Sequence, residues 1–254
     1  MSAPDLRGER GFTLIELLVS TLAGVVVASA TAAILVTSVH FSSNFSDRVD
    51  ANQQARVAME KITTALNSSC VATAVPPVVT GGTINGAQSD DTHLYFYSSL
   101  ASVSSADAPT IQPSLIEVSL SGGQLIMSTS PWVSGTAPTL SNPNPWAFST
   151  TPTNFVLLQH ATAATIGGVP NQPVFQYYGY TAGGAISTTA FTANSTTPLA
   201  TTDAANTAKI TLSFAAIPSD NNNATNRAAN ITDSVVLRLT PASSGGIASN
   251  TPCT

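Results

Sequence analysis

The stretch that decides the fold is Gly11-Phe12-Thr13-Leu14-Ile15-Glu16-Leu17-Leu18-Val19-Ser20. It opens an apolar run that continues to Val39, and Glu16 is the one charged residue in that run. The uncharged part, Leu17–Val39, is long enough as a helix to cross a hydrocarbon core of ~30 Å at about 1.5 Å per residue. A charged side chain at the centre of such a helix costs about 2.5–3.5 kcal/mol, so we expect Glu16 to have a function.

A short charged leader precedes the apolar run and ends at Gly11. Basic residues before a membrane-length segment favour a cytoplasmic N-terminus, which would place the rest of the chain outside. A secretory signal peptide would have a shorter apolar region and a small-residue cleavage site after it. The span alone would also suit a plain membrane anchor, and Glu16 within the string Gly11–Leu17 argues against that simpler interpretation.

The string resembles the N-terminus of type IV prepilins and type II secretion pseudopilins. The resemblance implies that a prepilin peptidase cuts after Gly11 and methylates the new N-terminal residue, Phe12. It also implies that Glu16 aligns the subunit as it enters a filament. The chemistry agrees with this role, because cleavage leaves an amine on Phe12 and Glu16 lies four residues further along the helix. A carboxylate in an apolar bundle is costly unless an amine of a neighbouring subunit compensates it.

The chain beyond His40 changes from apolar to amphipathic. Ala55, Met59, Ile62 and Leu66 recur at helical spacing and predict a buried stripe. No proline occurs between Phe12 and Val75, so one helix is predicted from about Phe12 to about Ser68. A coiled-coil partner is the alternative use of the stripe. The predicted divisions are a cleaved leader at 1–11, a transmembrane and assembly helix at 12–39, an amphipathic helix at 40–69 and a β-rich globular domain at 70–254.

The globular part alternates short β-rich runs with turn signals. Gly122-Gly123 between two such runs predicts a tight hairpin. The fold class predicted is α+β, with the long helix packed on an antiparallel β-sheet in a pilin-like arrangement. The last strand is predicted at Ser234–Thr240, after a polar loop at Pro218–Asn230. The other predicted strands are His93–Tyr97, Ser114–Leu120, Gln124–Ser128, Asn154–His160, Val174–Tyr180 and Lys209–Phe214.

Charge is sparse, with 8% charged residues, and no Lys or Arg lies between Ile62 and Ala208. Nucleic-acid binding needs clustered cations against phosphates, so no direct contact with nucleic acid is expected. The sequence has no G-x-S-x-G, H-E-x-x-H or phosphate-binding glycine loop, and we expect no enzyme activity, catalytic residue or cofactor. The three histidines are scattered, Asp90-Asp91 and Asp220–Asn223 are interpreted as solvated turns, and no metal site is expected.

Cys70 and Cys253 are the only cysteines, one at the end of the long helix and one near the C-terminus. Outside the membrane they are expected to pair, and two free thiols are the alternative. The two tryptophans, Trp132 and Trp146, lie among prolines. They are expected to cap the core, with an exposed recognition patch as the other interpretation.

The order of elements resembles the larger minor pilins, namely W-type minor pilins and J-type minor pseudopilins. The resemblance implies a structural subunit in the cell membrane, with its globular domain outside, that later joins a pilus or pseudopilus. Its expected partners are other pilin subunits, the prepilin peptidase and the membrane. Secretion, twitching or adhesion, and DNA uptake all remain open as the task of the filament. The alternative functions are a membrane-tethered extracellular binding or adhesion module and, more remotely, an anchored hydrolase.

Overall fold

The structure is a computed structural model, and it places most of the chain in defined elements. Gly11, Phe12 and Cys253 lie outside the described part, as do Asp220–Asn223. The described residues fall into two compact units, one within Met1–Asp47 and the other within Arg48–Thr254. The described residues are 13–71, 75–82, 84–99, 112–135, 146–218 and 228–237.

Helix α1 spans Leu14–Asn67, which confirms the single long helix expected from the absence of proline. In the first unit nearly all of its side chains are exposed, including the leucines, isoleucines and valines of the apolar run. In the second unit one face of α1 is buried. The buried residues are Ala51, Ala55, Ala58, Met59, Ile62, Ala65 and Leu66, and they include the whole stripe predicted from the sequence.

The second unit contains a four-stranded antiparallel sheet in the order β1-β2-β3-β6. Gly122 and Gly123 form the turn between β2 and β3 with φ values of +58° and +75°. Because both residues have positive φ, the Gly-Gly pair suits this tight hairpin, as the sequence predicts. The strands are β1 at His93–Ser98, β2 at Ser114–Ser121, β3 at Gln124–Ser130 and β6 at Thr153–Leu158.

A second antiparallel sheet is built around β9, Lys209–Ala216. One edge of β9 pairs along its full length with β10, Ala229–Val236. The other edge pairs with β7, Ala161–Ala163, and with β8, Phe175–Tyr178. A one-and-a-half-turn helix, α2 at Thr201–Asn206, precedes β9. The sequence predicts one sheet, whereas the described strands form separate sheets. Which strands pair depends on contacts between residues far apart in the chain, and local sequence patterns do not show these contacts.

A two-stranded sheet completes the described strands, with β4 at Trp132–Ser134 and β5 at Ala147–Phe148. Trp146 is buried here and makes an edge-to-face contact with Tyr97 at a ring-centroid distance of 5.1 Å. Trp132 packs against the same cluster and is partly buried. The tryptophans therefore lie against a core, as expected. This small core also holds Cys70, Val75, Val79, Ile84, Ala87, Leu115 and Phe148.

The main core lies between α1 and the two larger sheets. Ile62 and Leu66 of α1, Phe96 of β1, and Phe175 and Phe214 of the second sheet are all buried in it. The described fold is thus α+β, a long helix packed with antiparallel sheets, and it is consistent with a pilin-like fold.

The boundaries predicted for the last strand are wrong. β10 begins at Ala229, five residues before the predicted start at Ser234. Asn230, Thr232 and Asp233 are polar and exposed, because β10 pairs only with β9 among the described strands, so the continuous apolar pattern of a buried strand is missing there. Residues 238–240 of the predicted strand lie outside the described part.

Candidate functional site

Glu16 lies in the first turn of α1. The preceding Thr13 caps the helix, because its Oγ1 accepts a hydrogen bond of 3.3 Å from the Glu16 backbone N–H. The Thr13 carbonyl also accepts from the N–H groups of Glu16 and Leu17 at 3.0 and 3.1 Å. The Thr13-x-x-Glu16 spacing is that of a capping box, and an acid in the first turn favours the positive end of the helix dipole. The local sequence therefore starts the helix and fixes Glu16 at its N-terminal end.

The helix that carries Glu16 is the one helix in the described ranges that is long and apolar enough to cross a membrane. None of its most apolar segment is buried within the protein. The exposed residues include Leu14, Ile15, Leu18, Leu22 and Val26. Such a surface is unfavourable in water and requires lipid or other apolar helices around it.

The hydroxyl groups between Leu14 and Thr37 are all bonded within the helix itself. Each donates to a backbone carbonyl three or four residues earlier, at 2.8–3.0 Å. This back-bonding removes the need for an external partner in an apolar medium. The hydroxyl residues are Ser20, Thr21, Ser29, Thr31 and Thr37.

Two of the expected site residues, Gly11 and Phe12, lie outside the described part, so cleavage and the pairing of Glu16 with an amine stay predictions. The proposed partner of Cys70, Cys253, is outside it as well. Cys70 is buried directly after the end of α1, and its N–H donates to the Tyr97 carbonyl at 2.9 Å. The pairing of Cys70 with Cys253 also stays a prediction.

The turn before β1 differs from the interpretation drawn from the sequence. Asp90 is only 7% exposed, so a solvated turn is wrong for this residue. Its Oδ1 accepts from the N–H groups of Thr92 and His93, both at 2.7 Å, and from Thr92 Oγ1 at 3.0 Å. The His93 ring lies with Nδ1 at 3.2 Å from both carboxylate oxygens. An Asp two and three residues before bonded N–H groups is typical of a side-chain-capped turn, and this spacing was the signal available in the sequence.

The turn also shifts the pKa values of its acidic and basic groups. Burial acts to raise the pKa of Asp90, but the hydrogen bonds from His93 and from the Thr92 and His93 backbone outweigh it, and the pKa lies below its usual value. The hydrogen bond with Asp90 raises the pKa of His93 despite the opposing effect of burial. Burial and the charge of Asp90 raise the pKa of the neighbouring Asp91.

No group of three or more His, Cys, Asp or Glu side chains lies close enough to hold a metal ion among the residues with described positions. The Asp90–His93 pair is therefore a two-residue arrangement in a turn.

In the comparison with protein-family models, residues 6–32 match the prokaryotic N-terminal methylation motif. This range contains the second half of the charged leader with Gly11, then Phe12, Glu16 and the first part of α1. Comparisons with curated proteins and with solved structures return no match. The motif and the exposed apolar helix that follows it suit a membrane-anchored pilin, a class whose members are structural subunits that associate with one another. Over residues 6–32, the chain carries the N-terminal motif that is typical of prepilin-type proteins.

Proposed function

We propose that this chain is a structural subunit, in a minor role, of a type IV pilus or a type II secretion pseudopilus. The observation that carries the proposal is Glu16 at the capped start of an exposed apolar helix, inside the methylation motif at residues 6–32. An apolar helix without internal burial needs neighbours, and a carboxylate near its end gives those neighbours a preferred position.

In this proposal a prepilin peptidase removes residues 1–11 and methylates Phe12. Before assembly, the subunit is held in the cell membrane, which in bacteria is the inner membrane, and its globular domain lies outside. Glu16 pairs with the N-terminal amine of a neighbouring subunit during assembly. In an apolar surrounding this pairing offsets the cost of burying each charge, and the unpaired carboxylate is penalised. The minor role rests on the resemblance of the element order to the larger minor pilins.

The first measurement is the mass of the N-terminal peptide of the mature protein, isolated from cells that have the secretion or pilus machinery. We expect a peptide that begins at Phe12 and carries one methyl group. A Gly11→Val variant should retain Met1, because a β-branched side chain replaces the glycine at the cleavage site. A mature wild-type protein that retains Met1 would exclude processing.

The second measurement compares Glu16→Ala with Glu60→Ala, a matched change at an exposed position of α1 beyond the apolar run. Both variants should insert in the membrane and be processed. Removing one partner of a buried charge pair costs about 2–5 kcal/mol, so Glu16→Ala should lower recovery in sheared filaments or pseudopili by roughly tenfold or more. Glu60→Ala should be recovered like the wild type. Equal recovery of both variants would instead favour a tethered binding module, which does not need Glu16.

A further inference from the structure

The segment Ser89–His93 joins β1 to the region around β8 by backbone and side-chain hydrogen bonds. The Asp91 carbonyl accepts from the N–H groups of Val174 and Phe175 at 2.8 and 3.1 Å. The Ser89 carbonyl accepts from the N–H of Leu199 at 2.8 Å. The start of β8 and the segment before α2 are therefore both held by this one short piece of chain.

Tyr177 of β8 contacts the same turn from within the core. Its hydroxyl donates to the carbonyls of Asp90 and His93, at 2.8 and 3.0 Å. The Tyr177 side chain is fully buried, so these bonds are shielded from water. The hydroxyl shares its single proton between these two carbonyls, and at least one of them has to keep its position, because an unpaired buried hydroxyl is costly.

The Asp90 carboxylate fixes the conformation of this turn, because it accepts hydrogen bonds from the backbone N–H groups of Thr92 and His93. The His93 ring lies against the same carboxylate and is half-buried. A protonated ring donates from Nδ1 to Asp90 and neutralises its charge, whereas a neutral ring offers at most a weaker hydrogen bond.

The charged groups around His93 are all acidic. Asp90 and Asp91 lie on its own turn. Glu117 lies on the neighbouring β2, two residue pairs along and therefore on the same face of the sheet. Tyr177 contacts the His93 backbone from β8. All three carboxylates favour the protonated ring, and the resulting pKa of His93 lies above its ordinary value of about 6.5.

We propose that the turn Asp90–His93 is a protonation-dependent latch that holds the start of β8 against β1. The Asp90–His93 ion pair holds the turn in its conformation. The hydrogen bonds that Val174, Phe175 and Tyr177 donate to the turn then hold β8 in place. No change of fold is involved. Loss of the His93 proton weakens the turn and raises the frequency with which β8 separates locally from it.

The sign of the pH dependence follows from the direction of the two shifts. His93 has a raised pKa in the closed latch, so its contribution is fully present below about pH 6.5 and is lost as pH rises through the higher pKa of the closed state. Asp90 has a lowered pKa, so its contribution is lost only below the ordinary range of an aspartate, near pH 4. Asp91 has a raised pKa, so its unfavourable contribution grows with pH from about pH 4 until the carboxyl is fully ionised and then stays constant. The window above pH 6.5 therefore isolates His93.

The test is hydrogen–deuterium exchange of the full chain in detergent micelles, at pH 6 and pH 8.5, corrected for the intrinsic pH dependence of amide exchange. In the wild type, protection of the peptide containing Val174 and Phe175 should fall several-fold at the higher pH. In His93→Gln the protection should be the same at both pH values. The matched control is His160→Gln, which replaces an exposed histidine whose side chain makes no hydrogen bond among the described contacts and should retain the wild-type response.

Wild-type protection that does not change with pH, or an unchanged response in His93→Gln, would overturn the proposal. If His93→Gln does not fold, the proposal is tested instead by an NMR pH titration of the His93 ring in the wild type and in Asp90→Asn. The His93 ring should titrate above pH 6.5 in the wild type and lower in Asp90→Asn. A His93 titration that is the same in both proteins would equally overturn it.

Discussion

Gly179 illustrates how little space a single position leaves in this fold. A Cβ at this residue would lie 2.5 Å from Cζ of Phe191 and 3.2 Å from the backbone oxygen of Asn206. Phe191 is partly buried against the main core, and its N–H donates to the Tyr177 carbonyl at 2.8 Å. The ring is therefore held from two sides, and a larger residue at 179 requires the backbone or the ring to shift.

We expect Gly179→Ala to lower the free energy of unfolding by about 1–3 kcal/mol, the range for overpacking a filled site. Gly183→Ala is the matched control, since the nearest atom to its Cβ would be Thr181 Oγ1 at 3.9 Å. Urea unfolding followed by tryptophan fluorescence would measure both variants. Equal stability of the two variants would show that Phe191 moves aside without cost.

Single residues differ in how far the sequence reveals them. Glu16 could be recognised because a charge in an apolar run stands out without any tertiary information. The constraint on Gly179 could not, because it arises from Phe191, and its position depends on tertiary packing. The burial of Asp90 was missed for a similar reason, since its environment is completed by β8 and the segment that follows it.

At the scale of elements, α1 packs on the sheets through a face of small and large residues. Ala51, Ala55, Ala58 and Ala65 allow the backbone to approach, while Met59, Ile62 and Leu66 fill the core. Intrinsic helix propensity contributes little to the stability of a helix in a folded protein. Most of the stability of α1 in this region therefore comes from its buried face.

Ile62→Ala should therefore be strongly destabilising, because Ile62 is 0% exposed. Removal of its buried methyl and methylene groups should cost about 2–5 kcal/mol, the transfer and cavity contributions together. Val57→Ala is the matched control on the opposite side of the same helix, where the side chain is 53% exposed, and should change stability by less than about 0.5 kcal/mol. Thermal unfolding followed by near-ultraviolet circular dichroism measures the difference, and similar melting of the two variants would contradict this packing.

The elements that sequence patterns predicted well are those with local signals. The stripe of α1 has a helical period, and the β2–β3 hairpin has its Gly-Gly turn. The placement of β10 and the division into sheets depend instead on β9, which pairs with three different strands. Pairings of this kind join residues far apart in the chain and leave little trace in a local pattern.

At the scale of the whole molecule, the proposed bond between Cys70 and Cys253 would tie the C-terminal tail to the end of α1. It would close a loop of about 180 residues, which in the chain-entropy model stabilises the folded state by up to about 5 kcal/mol. Cys70 is buried in the same small core as Trp146, so the tryptophan reports on this region.

Reduction should therefore shift the urea midpoint of the tryptophan transition to lower concentration in the wild type. A double variant, Cys70→Ser with Cys253→Ser, should start at the lower midpoint and show no response to reductant. A peptide map without reduction should contain the linked pair of peptides. Alkylation of both thiols in unfolded, unreduced protein would exclude the bond.

The inward-bonded hydroxyls of α1 have a consequence for how the helix moves in a bilayer. Because Ser20, Thr21, Ser29, Thr31 and Thr37 donate to their own backbone, they form no polar stripe that would fix one rotational orientation about the helix axis. In a bilayer we therefore expect Glu16, the one charged side chain of the apolar run, to decide how the helix turns toward a neighbouring subunit.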